Sequence, residues 1–265
     1  MKRYAPYWSC FRVRALLETQ YRGAALGGMA TQLFFALALI CLYRALYAGG
    51  DARELGDIVT YVWLQQMLFR AQFSTDTELT EQIMKGGIAY TLLRPVDQQL
   101  WWSCRQLAIK LVGVVMRLLP MLALQCLLPR EYRMLPPESA VSMAQLAVSL
   151  ALGFLCLTEI ASLVDVTVMI TLDRRGAASI VNLAMAALSG NVIPLTLFPQ
   201  RLQCLMRYQP FAQALDAPIR MYQHAQTAAE WGLNTGVQLL WLLALTALAR
   251  ALWKRQLGRM IVQGG

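Results

Sequence analysis

His224 is the only histidine in the chain, so no pair of imidazoles is present to bind a metal or relay protons. The six cysteines, at 10, 41, 104, 126, 156 and 204, are scattered without a C-x-x-C pair. Five lie in or beside apolar runs, where a free thiol behaves as a small hydrophobe. No G-x-x-x-x-G-K-[ST] loop occurs, so the chain lacks that cradle for ATP phosphates. No catalytic residues and no metal ligands stand out. What remains for chemistry is charge in apolar surroundings: Lys110, Arg117, Glu159 and Asp165. Such a charge costs about 2.5–3.5 kcal/mol at the centre of a bilayer, so partners are expected. Counting a rise of about 1.5 Å per residue puts Lys110 and Glu159 at similar depths on antiparallel neighbours, which predicts a pair. A polar cavity or a subunit interface facing Glu159 is the alternative.

Those charges sit in elements that are themselves membranous. Hydrophobic residues make up 57% of the 265-residue chain and charged residues 15%, well under the usual quarter. A membrane-spanning helix needs about 20 mainly apolar residues. Six segments qualify, at about 24–47, 55–73, 100–128, 139–171, 177–193 and 231–253. The second carries Gln65, Gln66, Arg70 and Gln72 and must sit inside a bundle. The N-terminal stretch has no apolar core before Gly23, so a cleaved leader is not expected. The fold expected is an all-α polytopic membrane protein, one domain over 1–265.

The formal charge of +9 raises nucleic acid as a partner. With the N-terminus inside, however, the inner segments hold twelve Lys and Arg residues, from Lys2 to Arg259, and the outer ones six. This asymmetry is a topology signal that places both termini in the cytoplasm, and no nucleic-acid partner is expected.

Two connecting segments carry more pattern than a loop requires. In STDTELTEQIMKGGIAYTLLRPVD, Thr75 and Glu78 have capping-box spacing, Glu78 and Glu81 suit the positive end of a helix dipole, and Gly86-Gly87 stops the helix. Leu79 and Ile83 lie four apart on one face. The segment predicts a short cytoplasmic helix that either lies on headgroups or presses Leu79 and Ile83 into a groove of a soluble partner. The outer segment from Leu188 to Tyr222 is broken by Pro194, Pro199, Pro210 and Pro218 yet stays apolar at Leu195, Phe198, Leu202 and Phe211. Broken backbone cannot face lipid at depth unless its polar groups are satisfied. Short outer re-entrant helices that cap the bundle are expected, with Pro194, Phe198, Pro199 and Phe211 as an outer gate or a structural cap.

These parts, in this order, resemble the membrane subunit of ABC-2 type ATP-binding-cassette transporters. The resemblance is carried by TYVWLQQ (60–66), ELTEQIMKGGIAYTLLRPVD (78–97), the GNVIPLTLFP…QPFAQALDAPIRMY block (190–222) and the tail WKRQLGRMIVQGG (253–265). It implies six spans, an N-terminal elbow helix at about 5–20 with Tyr4, Trp8, Phe11 and Ala15 along one side, and a cytoplasmic coupling helix from Thr77 to Lys85. Contacts to an ATPase would fall on Thr77, Glu78, Leu79, Glu81, Gln82, Ile83 and Lys85. The turn holding Arg174 and Arg175 is a second contact or an ordinary positive-inside anchor.

The family implies a permease without catalysis of its own. This chain would bind no cofactor, with ATP and Mg held by a separate cytoplasmic ABC ATPase. A second permease, identical or homologous, would complete the path for export of a hydrophobic or amphipathic substrate through a bacterial plasma (inner) membrane. Gln65, Gln66 and Arg70 are candidates for lining the path or the dimer interface, or for bonding one helix to another. An ion-coupled secondary transporter is the alternative; it calls for an inverted repeat and paired acids near mid-membrane, which the sequence does not display.

Overall fold

The computed structural model describes residues 4–73, 76–85, 87–190, 195 and 198–259. Among them are eleven α-helices and no strand. They are α1 (Ala5–Gln20), α2 (Arg22–Leu46), α3 (Ala52–Phe73), α4 (Glu78–Met84), α5 (Ile88–Leu92), α6 (Gln98–Gln125), α7 (Ala140–Thr171), α8 (Arg174–Leu188), α9 (Gln200–Arg207), α10 (Pro210–Gln223) and α11 (Ala228–Leu257).

Local chemistry explains several helix starts. The Asp97 carboxylate accepts the Leu100 N–H, and Asp173 accepts that of Arg175, each filling an orphan donor of a first turn. Ser139 with Ser142 and Thr227 with Glu230 form reciprocal capping boxes at α7 and α11.

Four helices, α2, α6, α7 and α11, are long and apolar enough to cross a membrane. The remaining two expected spans, α3 and α8, do not meet both conditions. α3 has the length, but its polar residues lower its apolarity, and it is buried from Ile58 to Leu68 inside the bundle. α8 has only 15 residues, a rise of about 22 Å against roughly 30 Å of hydrocarbon.

α7 is the central post, packed against α6, α8, α10 and α11. α10 lies deep in the bundle: Ala212 to Ile219 are buried, and the helix is inserted between α3, α7 and α11. Pro218 accounts for part of that packing. It has no N–H to give the Ala214 carbonyl one turn back, and that oxygen lies against Gly153 of α7, where any Cβ would collide with it. Glycine there lets the two backbones meet.

α1 occupies the extent expected of an elbow and runs alongside the start of α6. The Asp97 N–H donates to Tyr7 Oη at 2.8 Å, and one turn on, Cys10 Sγ lies 3.9 Å from the Trp101 carbonyl. Tyr4 and Trp8 on its apolar side point away from the bundle, and Trp8 stacks on Phe11 at 5.6 Å.

Candidate functional site

The inner loop forms a short helix held from behind. Thr75 and Gly86 lie outside the described residues. At the start of α4 it is Asp76 Oδ1 that accepts the Glu78 N–H, at 3.0 Å, while the Thr77 side chain caps nothing. Arg105 of α6 reaches across to bind Asp76 Oδ2 at 2.8 Å and also pairs with Glu78. The Asp76 N–H donates to Gln106 Oε1 at 3.0 Å. Farther along, Gln82 donates to Glu78 at 3.0 Å and accepts from the Thr91 hydroxyl at 2.7 Å, which ties α5 back onto α4. Lys85 and Glu81 pair on the exposed side at 3.3 Å.

The face on which this helix rests is the very one that the sequence offered to a partner. Leu79 is fully buried, in one apolar cluster with Ile88, Trp102, Val166, Ala249 and Trp253, and Ile83 packs against the same cluster. The two apolar residues are the anchor of α4 on the start of α6 and the C-terminal ends of α7 and α11. What stands out instead is Met84, Tyr90 and Leu93, exposed by 68, 78 and 82% and flanked by Glu81 and Lys85.

Lys110 and Glu159 do not pair. Glu159 accepts from Gln99 Nε2 at 3.1 Å and from Ser103 Oγ at 3.5 Å, whereas Lys110 Nζ donates to the Ala71 carbonyl of α3 at 2.8 Å. The depth count assumed antiparallel neighbours. The observed bonds advance in the same direction along both helices, from Gln99 and Ser103 with Glu159 to Gln106 with Asp165.

The three polar residues of α3 have separate fates. Gln65 Nε2 donates to the Gly190 carbonyl at 2.7 Å, and Gln66 is buried. Arg70 lies along α6 over Gly113, where a Cβ would come within 2.8 Å of its Cγ, and reaches Glu18 of α1 at 3.9 Å.

A family model described as an ABC-2 family transporter protein matches residues 28–264. The chain belongs to the ABC-2 transporter family. It is accordingly a membrane protein of transport, a permease component, and its long apolar helices fit that assignment. No curated protein matches the chain.

In this ABC-2 protein Gly190 and α10 are locked to α3 by a largely buried polar network. Tyr61 Oη donates to Asp216 Oδ1 at 3.0 Å, Arg220 Nε binds Asp216 Oδ2 at 2.6 Å, and Tyr61 Oη also lies 3.4 Å from the Gly190 carbonyl. Gly190 has φ +80, and a Cβ there would collide with the Tyr61 hydroxyl. Of the residues expected as an outer gate, Pro194 lies outside the described residues. Pro199 precedes α9, Phe198 packs near Leu195, Met206 and Ala212, and Phe211 packs against the central core. The gate residues thus fall into two separate clusters. Arg175 is exposed in the first turn of α8, and of Arg174 only the backbone is described.

Several functional candidates were absent from the sequence reading. Arg105 and Gln106 hold the α4 loop at Asp76, and Tyr61, Asp216 and Arg220 lock α10 to α3. Arg105 and Gln106 are polar residues at the edge of an apolar run, a usable signal. Asp216 and Arg220 are four apart in a segment otherwise scored for prolines, a spacing that pairs opposite charges on a helix.

Proposed function

We propose that this chain is one membrane half of an ABC-2 exporter, joined to a cytoplasmic ATPase through the outward surface of α4 and α5. The carrying observation is the two-sided inner loop. Leu79, Arg105 and Gln106 fix its back to the bundle, while Met84, Tyr90 and Leu93 are left facing out beside a Glu81–Lys85 pair. Exposed apolar residues in a polar rim mark protein contact sites. A rigidly anchored helix transmits force, since a push on it moves α6, α7 and α11 together.

In this reading α3 and α8 complete six spans, α1 is the elbow with Tyr4 and Trp8 toward lipid, and both termini are cytoplasmic in a bacterial inner membrane. Two such halves pair around a path for a hydrophobic or amphipathic substrate. ATP and Mg are held by the partner, whose closure draws the two inner loops together and rocks the bundles from inward to outward access.

The test is co-purification of the chain with the ATPase expressed beside it. Met84→Asp, Tyr90→Ala and Leu93→Asp are expected to release the ATPase while the permease still elutes as a folded species. Unchanged association, together with ATP turnover that survives deletion of Thr77–Lys85, rejects the coupling role.

A further inference from the structure

A cavity of about 460 Å³ opens between the end of α1, the first turns of α2, the inner end of α3, the α4 loop and the middle of α6. Three guanidinium groups line it, Arg14, Arg70 and Arg117, with Glu18, Asp76, Glu78 and Glu81. The carboxylates are mostly engaged elsewhere. Asp76 and Glu78 are bound by Arg105, which is not in the lining, Asp76 also lies 3.9 Å from Arg14, and Glu81 pairs with Lys85. Glu18 serves two cations, Arg14 at 2.9 Å and Arg70 at 3.9 Å. No carboxylate among the described residues pairs with Arg117, and the nearest charge acting on it is that of Arg70.

Two arginines are thus brought together with too little negative charge between them, and the backbone makes room for both. Arg70 crosses α6 over Gly113, and the Arg117 guanidinium lies against α2 at Gly28, where any Cβ would collide with it. Like charges held close cost free energy unless an anion bridges them. The place matters as well. Tyr21, Ala24 and Ala25 line the cavity at the joint where α1 ends and α2, a membrane-crossing helix, begins. Gly28 is six residues into α2, a rise of about 9 Å.

The geometry points to a binding site for a phosphate-bearing anion, the headgroup phosphodiester of an anionic phospholipid, held between Arg70 and Arg117 at the joint of α1 and α2. Guanidinium groups bind phosphate oxygens in two-pronged fashion, which an ammonium cannot reproduce. With the site filled, α1, α2, α3 and α6 are cross-linked beside the inner loop. The inference stands on this chain alone and does not require the ATPase reading.

The experiment uses the purified, delipidated full chain in detergent and native mass spectrometry, with phosphatidylglycerol and inorganic phosphate as probes. One phosphatidylglycerol per chain is expected to persist, and Arg70→Gln and Arg117→Gln to weaken it about tenfold or more, close to 1.4 kcal/mol. Arg130→Gln, an exposed arginine of the connection between α6 and α7, is expected to change nothing. Binding of inorganic phosphate that depends on Arg117, without lipid retention, assigns the same site to a free phosphate. If Arg117→Gln does not elute as a folded species, Arg117→Lys replaces it; this variant keeps the charge, loses the fork, and must still weaken lipid binding. Equal binding of both probes by wild type and a folded Arg117 variant overturns the proposal.

Discussion

Gln106 Nε2 donates to Asp165 Oδ2 at 3.0 Å, and the same side chain accepts the Asp76 N–H at 3.0 Å. One buried amide therefore links the segment that enters α4, α6 and the C-terminal part of α7. Gln106→Leu removes the acceptor for Asp76 and a donor for Asp165, at a cost of about 1–3 kcal/mol for each group left unsatisfied. Gln106→Glu costs more, because it places a second carboxylate beside Asp165. Thermal unfolding in detergent checks both, and wild-type midpoints for the two variants would remove the link.

Leu79 and Met84 belong to the same short helix and are expected to behave in opposite ways. Leu79→Ala opens a cavity among Trp102, Val166 and Trp253, a loss of about 2–5 kcal/mol. Met84→Ala is an exposed change worth less than about 0.5 kcal/mol in stability, with its effect falling on ATPase retention. Unfolding midpoints and pull-down yields measured on the same preparations separate the two, and equal destabilisation by both variants contradicts the orientation of α4.

At the outer end the order of effects is the prediction. Tyr61→Phe removes one hydrogen bond from the Tyr61–Asp216–Arg220 network, at about 1–3 kcal/mol. Asp216→Ala leaves the half-buried Arg220 without its anion and the buried Tyr61 hydroxyl without its acceptor, at a cost of about 3–5 kcal/mol. A Tyr61→Phe variant less stable than Asp216→Ala would reverse the assigned roles.

Cys10 reports on the docking of α1. Burial pushes its thiol up to about 11, against the opposing pull of the Arg105 charge. At pH 8 about one thiol in a thousand is then thiolate, compared with roughly a quarter for an ordinary cysteine. A variant retaining only Cys10 is expected to react slowly with iodoacetamide at pH 8. Its rate should rise about tenfold per pH unit up to pH 10, because deprotonation supplies the nucleophile. Rapid, pH-insensitive labelling would mean that α1 is not packed on α6.

The readings that held are those set by one stretch of chain at a time. Apolar length marked α2, α6, α7 and α11, and the amide-rich α3 had to be sheltered because no lipid could satisfy Gln65 and Gln66. The family followed from the order of such parts.

The readings that changed depend on where two stretches meet. The spacing of Leu79 and Ile83 defines an apolar face, but periodicity does not say whether that face meets a partner or its own bundle. The start of α6 and the C-terminal ends of α7 and α11 decide that. Equal depth suggested Lys110 opposite Glu159, yet a crossing of α6 and α7 sends Lys110 to Ala71 and Glu159 to Gln99. The chain alone determined which residues must be hidden from water or lipid and which connections are short helices. Only the tertiary structure decided which buried charges meet, because helix crossing and the close approaches at Gly28, Gly113 and Gly153 are properties of pairs of helices.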